Sequence, residues 1–359
     1  VKKIVVGTLG SLTFLGFFFL SFVWLTTERF ADIEPVEIKC TKEAPALNPN
    51  KPLKVLSWNI QFLAGKNYIF FYDAADGSGK DEAPSREDIK ITLNEVTRII
   101  KDESPDVVLL QEVDVDAKRT AHQDQVELLL KTLAPLYPCS ADTYYWRAGF
   151  APHPKIMGSI GMKLATFSKY RITSASRHAL GEFPANFVVR QFRPKRAILD
   201  SSLQTTTGAS IRILNTHLEA YSQGSDLMQY QVRKTAELLS SIENASTPWI
   251  LGGDFNLLMP GRSYSDLSNS QRSYYQIESE FKVLADRFST IPSKSDINGE
   301  QFQMWYTHFP NDPEVKGPDR TIDYILYGKK MMPTYYQVRS RDTQKISDHL
   351  PLIATFEIH

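Results

Sequence analysis

The sequence predicts a mixed α/β layered domain, in the α/β or α+β class, preceded by one N-terminal membrane-spanning helix. Three observations carry that expectation. From Leu53 onward, short apolar runs of strand length alternate with segments whose apolar residues recur at helical spacing. Before them, Ile4 to Leu25 is a stretch of 22 residues without a charged side chain. Finally, 359 residues carry 41 Lys plus Arg against 41 Asp plus Glu, with 42% hydrophobic residues and only two Cys. That balance excludes a disordered chain, a disulfide scaffold, a collagen-like repeat and a strongly basic nucleic-acid binder.

The elements follow in order. As a helix, residues 4–25 would extend about 33 Å, enough to cross a bilayer core. Lys2 and Lys3 precede the stretch and Glu28, Arg29, Asp32 and Glu34 follow it, which leaves a short N-terminus in the cytoplasm and the rest outside. The alternative is a cleaved signal and a secreted protein, although residues 25–29 show no clear small-x-small cleavage site. Residues 1–25 are thus read as the anchor. Residues 26–52, with Pro35, Pro45, Pro49 and Pro52 and no apolar periodicity, read as a linker, and 53–359 as the folded domain. Cys40 and Cys139 would face an oxidising compartment and either pair or stay as two separate buried thiols.

Within the domain, residues 53–58, 106–110, 211–215, 249–251, 322–326 and 350–356 read as buried strands, and Lys195 to Leu199 as another. Residues 86–102 place Ile89, Leu93, Val96 and Ile100 on one helical face behind a capping-box-like Ser85 and Asp88. Residues 226–243 repeat the pattern with Val232, Ala236, Leu239 and Ile242. No short-period repeat or low-complexity tract interrupts this order.

Polar residues stand where those strands stop: Asn59, Glu112, His217, and Asp254 with Asn256. One such ending is commonplace, but a set of metal-capable and proton-transfer types points to a shared site. Two residues apart in extended chain, Asp254 and Asn256 would face the same side, a carboxylate for water beside an amide for an oxyanion. The alternative is an Asx-turn closed on its own backbone. Gly252 and Gly253 would let the backbone turn tightly or approach a ligand. Asp323 and Asp348 are both candidates to orient His349 through one imidazole nitrogen. Arg196 either reaches a substrate phosphate or snorkels from a strand end. His153, His178 and His308 stand in no comparable constellation.

Taken together, Trp58-Asn59, Gln111-Glu112, Asn215-Thr216-His217-Leu218, Gly253-Asp254-Phe255-Asn256, Ile322-Asp323-Tyr324 and Ser347-Asp348-His349 resemble, in that order, the endonuclease/exonuclease/phosphatase superfamily. The resemblance covers about residues 53 to 359. It implies a four-layer α/β/β/α sandwich with two packed mixed sheets and a metal-dependent phosphoesterase site at one edge. By that resemblance Asn59, Glu112 and Asp348 lie on the metal side, with Glu112 the principal ligand. Asp254 positions or deprotonates water, Asn256 steadies the phosphoryl group, His349 contacts the scissile phosphate, and Asp323 orients His349. His217 takes the place held by histidine in the nuclease and sphingomyelinase branches. Mostly oxygen donors favour magnesium, with manganese possible, over zinc.

The resemblance implies a hydrolase of phosphodiesters in nucleic acid or phospholipid headgroups, with no obligate protein partner indicated and the membrane engaged through residues 4–25. A phosphomonoesterase of the inositol polyphosphate phosphatase type and a non-catalytic binding member are the alternatives. Residues 67–72, Asn-Tyr-Ile-Phe-Phe-Tyr, read as a lipid-dipping loop, a base-stacking platform or an ordinary core segment. Asn244-Ala245-Ser246 is a glycosylation acceptor if the chain passes a eukaryotic secretory route.

Overall fold

The structure, a computed structural model, describes residues 2–74, 76–134, 136–220 and 225–359. Its strands in chain order are β1 (Ile33–Pro35), β2 (Ile38–Cys40), β3 (Leu53–Asn59), β4 (Val107–Asp114), β5 (Cys139–Ala151), β6 (Gly158–Ser168), β7 (Ile172–Ala179), β8 (Ala197–Gln204), β9 (Ser210–His217), β10 (Trp249–Asp254), β11 (Ser289–Ile291), β12 (Asp323–Tyr327), β13 (Met331–Val338) and β14 (Leu352–Ile358). The longer helices are α1 (Lys2–Thr26), α2 (Arg86–Glu103), α3 (Gln125–Leu133) and, after the short α4 (Phe187–Gln191), α5 (Leu227–Asn244).

Among the described residues two seven-stranded sheets result, ordered β13-β14-β3-β4-β6-β5-β2 and β1-β7-β8-β9-β10-β12-β11. Each is mixed: β3 runs parallel to β4 and β9 parallel to β10, while the other pairings are antiparallel. The sheets pack face to face through Val55, Val107, Leu109 and Leu164 of one and Leu199, Ile213, Ile250 and Ile325 of the other. Continuous apolar runs such as Val107 to Leu110 are explained by burial on both faces. Leu56, Trp58, Val108 and Leu110 meet Ile89, Val96, Ile100 and Val126 from α2 and α3, and the opposite outer face packs Val232, Ala236 and Leu239 of α5 on Leu214 and Leu251. The expected α/β sandwich is therefore present, with helices on both outer faces.

α2 starts where the sequence places it. Ser85 Oγ accepts the Asp88 backbone N–H at 3.0 Å, while the Asp88 carboxylate accepts the Ser85 hydroxyl at 2.8 Å. The Ser85 N–H goes to Tyr68 instead, so the reciprocal half of a capping box is replaced by a tertiary bond.

The expectations depart from the structure at the N-terminus. Residues 26–52, expected as a tether, supply β1 and β2, edge strands on β7 and β5, and bury Ala44 and Leu47 in the inter-sheet core. Three-residue strands are too short to show a periodic signal. Cys40 lies opposite Cys139 in the β2–β5 register and the two form a disulfide. α1 exposes Phe14, Leu15, Phe17 and Phe18, but among the described residues no helix is long and apolar enough to cross a membrane. Residues 4–10, 12 and 23 of the expected span have side chains outside the described residues. The membrane-spanning expectation is thus not supported.

Candidate active site

Strand ends bring the polar residues together. In the second sheet Asp254 closes β10 and lies in register between His217 of β9 and Asp323 of β12, one row across three strands. In the first sheet Asn59 closes β3, and Glu112 sits in a bulge where the β4–β6 register shifts between Leu110 and Val113. Glu112 has φ +56° and Asn256 φ +52°, a left-handed conformation that costs free energy in a non-glycine residue and persists where the surroundings enforce it.

Gly252 and Gly253 serve packing between strands and sheets. A Cβ on Gly252 would come 2.8 Å from Leu109 Cδ1, and one on Gly253 2.1 Å from the Thr216 carbonyl oxygen. The close approach shown is to protein, where the sequence left a tight turn or a ligand as alternatives.

Asp254 is the centre of the constellation. Its Oδ2 accepts Asn59 Nδ2–H at 3.0 Å and lies 3.4 Å from His217 Nε2 and 3.5 Å from His349 Nε2. Its Oδ1 accepts the Asn256 backbone N–H at 2.9 Å, so the Asx-turn and the site coexist, one oxygen for each. His349 Nδ1 is 2.8 Å from Asp323 Oδ2, which selects Asp323 over Asp348 as the orienting carboxylate. The backbone behind the histidine is fixed by Trp58 Nε1 donating to His349 O and by Ser347 Oγ donating to Asn59 O, both at 2.9 Å.

Asn59 joins the two carboxylates. Its amide nitrogen also donates to Glu112 Oε1 at 3.1 Å, and its oxygen accepts the Gln61 backbone N–H at 3.0 Å. The amide therefore turns its nitrogen, not its oxygen, toward Glu112, which departs from the expected ligand role. Asn256 Nδ2 likewise donates to the Leu218 carbonyl, and its left-handed φ removes the extended geometry assumed for the Asp254/Asn256 pair.

A cleft of about 330 Å³ is lined by Glu112, His217, Asp254, Asn256, Asp348 and His349, with Asn59 and Asp323 behind them. Arg196 is buried on its wall rather than snorkelling. One nitrogen lies 3.5 Å from Glu219, while Nε and Nη1 have no hydrogen-bond partner among the described residues.

Burial and charge set the protonation states. Burial pushes Asp254 up to about 7, opposed by the His349 cation. Burial alone would lower His349, but Asp323, Asp254 and Asp348 overcome it and raise the imidazole to about 10. Burial drives His217 well below its ordinary value, so it is neutral. Glu112 is raised by burial first and by the Asp348 carboxylate second.

Two mutually repelling carboxylates in a partly dry cleft suit a hard cation between them. The donor chemistry of Glu112 and Asp348 fits such an ion. Among the described residues, two groups hold three potential ligand atoms within 4.8 Å of one another: Asp254, Asp323 and His349, and His308, Asp348 and His349. Glu112 belongs to neither.

Several cleft residues were not singled out in the sequence. His308, set aside there, has its ring 4.5 Å from that of His349 and Nε2 4.0 Å from Asp348. Tyr145 OH lies 3.3 Å from His217 Nδ1. Gln61 is buried with both side-chain polar atoms unpartnered among the described residues, and Asn311 donates to Asp73 across 238 residues. Only Gln61, two positions after Asn59, carried a local signal; the others meet through tertiary contacts.

The model of the endonuclease/exonuclease/phosphatase family matches residues 56–349. Among solved structures, an endonuclease/exonuclease/phosphatase from Beutenbergia cavernae is 20% identical at a TM-score of 0.55, covering 86% of this chain and 72% of its own. The human Nocturnin catalytic domain with bound sulfate is 19% identical at 0.52, covering 90% and 98%, and a family protein from Leptotrichia buccalis is 16% identical at 0.53, covering 85% and 100%. These likenesses show the fold. No curated protein matches the chain. With the family model spanning every strand end that feeds the cleft, the chain belongs to the endonuclease/exonuclease/phosphatase family.

Proposed function

We propose that the protein hydrolyses a phosphodiester by in-line attack of water, in nucleic acid or a phospholipid headgroup, with a divalent cation at Glu112 and Asp348. The observation that carries this reading is the Asp254 carboxylate standing between His217, His349 and Asn59, with His349 backed by Asp323. When bound, magnesium or manganese supplies charge neutralisation at the phosphate and lowers the pKa of water.

The protein's own groups do the rest. Asp254, raised to about 7, takes a proton from water near neutral pH, and Asn59 keeps its Oδ2 in place. His349, held as imidazolium, offers Nε2–H to a phosphoryl oxygen whose charge grows toward the transition state. Neutral His217 holds the opposite side of Asp254. The free Nε and Nη1 of Arg196 offer two donors to a second phosphate oxygen.

A panel of plasmid DNA, RNA, sphingomyelin, phosphatidylcholine and inositol phosphates, offered to the full chain with magnesium or with chelator, tests the reading. Chelator-sensitive diester cleavage supports it. Release of inorganic phosphate from monoesters alone would move it to the phosphomonoesterase class, and no turnover on any substrate would favour a binding protein.

We place the catalytic domain outside the cytoplasm, either held at a membrane by the N-terminal segment or secreted. The Cys40–Cys139 disulfide supports an oxidising compartment. Carbonate extraction of membranes distinguishes the two, since a spanning segment stays in the pellet.

A further inference from the structure

Beside the catalytic cleft lies a second, mainly apolar slot of about 130 Å³. Phe71, Tyr72, Arg119 and Trp146 line both spaces, and Ile156 and Ile160 line the slot alone. The slot therefore adjoins the cleft lined by Glu112, Asp254 and His349 across these four side chains.

Its walls are held before any ligand arrives. Trp146 Nε1 donates to the Phe192 carbonyl at 2.8 Å, and the Phe71 ring stacks on His153 at 5.0 Å. Tyr72 stacks on Phe70 at 5.6 Å, and its hydroxyl accepts from Arg119. Arg119 is itself fixed by two bonds to Asp114, at 2.8 and 2.9 Å, with its guanidinium 3.4 Å over the Phe62 ring. Its main charge partner is thus already inside the protein. Lys118 spends its ammonium on the Ile156 and Met157 carbonyls. Glu82 and Lys155 also line the slot with charges of opposite sign, and most of the remaining surface is aromatic and aliphatic.

Size narrows the occupant. At about 30 Å³ per water the slot equals roughly four waters, and an apolar cavity of about 150 Å³ accepts a benzene. A long acyl chain does not fit, and a fused bicyclic ring is crowded. We propose that this slot seats one planar six-membered ring carried by the substrate next to its scissile phosphate, so that pyrimidine or aryl phosphoesters are preferred over aliphatic headgroup esters. The inference rests on the phosphoester reading of the cleft and narrows its substrate class. Preformed aromatic walls suit a flat ring because stacking is gained without ordering the protein.

Calorimetric titration of the full chain in magnesium with phenyl phosphate and with methyl phosphate tests it. The expected result is binding of the phenyl compound at least about tenfold tighter, from the apolar area it buries. Ile160→Phe, which fills the slot away from the catalytic groups, should erase the difference and leave methyl phosphate unchanged. Trp146→Ala should also reduce it, and serves if the first variant does not fold. Thymidine 5′-monophosphate and adenosine 5′-monophosphate form a second pair: a slot-dependent gain for the pyrimidine identifies a nucleotide source, and a gain confined to phenyl phosphate an aryl ester. Equal affinities for phenyl and methyl phosphate, or a preference surviving both variants, overturn the slot. Slot-dependent binding without any diester hydrolysis would sink the proposed reaction and leave the slot standing.

Discussion

Replacing Asp323 by Asn changes one charge at nearly constant shape and strikes the group that orients His349. The imidazole rises from 6.5 to about 10 against the opposing effect of burial. That preference for the charged form is worth about 5 kcal/mol. Asp323, at 2.8 Å, is the largest of the three carboxylate contributions, so its removal should bring the titration midpoint down from about 10 toward the ordinary histidine value. The ring also loses the acceptor that fixes Nδ1–H, and an inverted amide would donate to Nδ1 and favour the neutral ring. A loss of kcat on the order of 10²- to 10⁴-fold follows from losing both charge and orientation.

Histidine Cε1–H NMR reads the midpoint, and hydrolysis of bis(p-nitrophenyl) phosphate reads kcat. Urea unfolding supplies a third readout. Because the folded pKa of His349 is raised, its stabilisation is fully present below 6.5 and is lost as pH rises through about 10. The stability gap between wild type and Asp323→Asn should be widest near neutral and close above pH 10. An unchanged midpoint with wild-type kcat would refute the reasoning.

Other consequences are equally accessible. Asp254, raised to about 7, must be deprotonated to act, so kcat/KM should rise with pH through about 7 and fall again near 10 as His349 loses its proton; a flat profile from 6 to 8 would remove Asp254 as the base. Cys40→Ser with Cys139→Ser opens a bridge of sequence separation 99 and should cost about 4 kcal/mol, read as a lower urea midpoint that matches wild type in reductant. Gly253→Ala places a Cβ against the Thr216 carbonyl and should cost about 3 kcal/mol or more by thermal melting; a wild-type melting temperature would show that the β9–β10 contact yields.

Legibility in the sequence followed burial. Some strands covered on both faces announced themselves: residues 53–58 and 249–251 lie inside β3 and β10 almost as read, and α2 begins at Arg86 behind Ser85, whereas β6, buried through residues 164–168, mixes Gly, Lys, Thr and Ser with its apolar residues and showed no run. β5 and β13, with half-exposed residues and mixed polarity, gave no apolar run, and β1 and β2 are too short for a pattern. The proposed catalytic row was legible because Asp254, His217 and Asp323 sit at strand ends, where a change from apolar to polar marks the candidate site. Amide orientation was not: Asn59 and Asn256 turn their nitrogens onto Glu112 and the Leu218 carbonyl for reasons fixed by neighbours distant in the chain. The aromatic segment 67–72 is in part the core segment that was one of its readings. Phe70 is buried with Phe62, while Phe71 and Tyr72 face the cleft and its side slot.

The most direct measurement is the initial rate of bis(p-nitrophenyl) phosphate hydrolysis by the full chain, before chelation, after EDTA and after magnesium is returned, for wild type and Asp254→Asn side by side. EDTA should abolish wild-type turnover, magnesium should restore it, and the variant should stay at least about 100-fold slower throughout while remaining folded. A rate indifferent to EDTA, or a variant as fast as wild type, would contradict metal-dependent hydrolysis through Asp254.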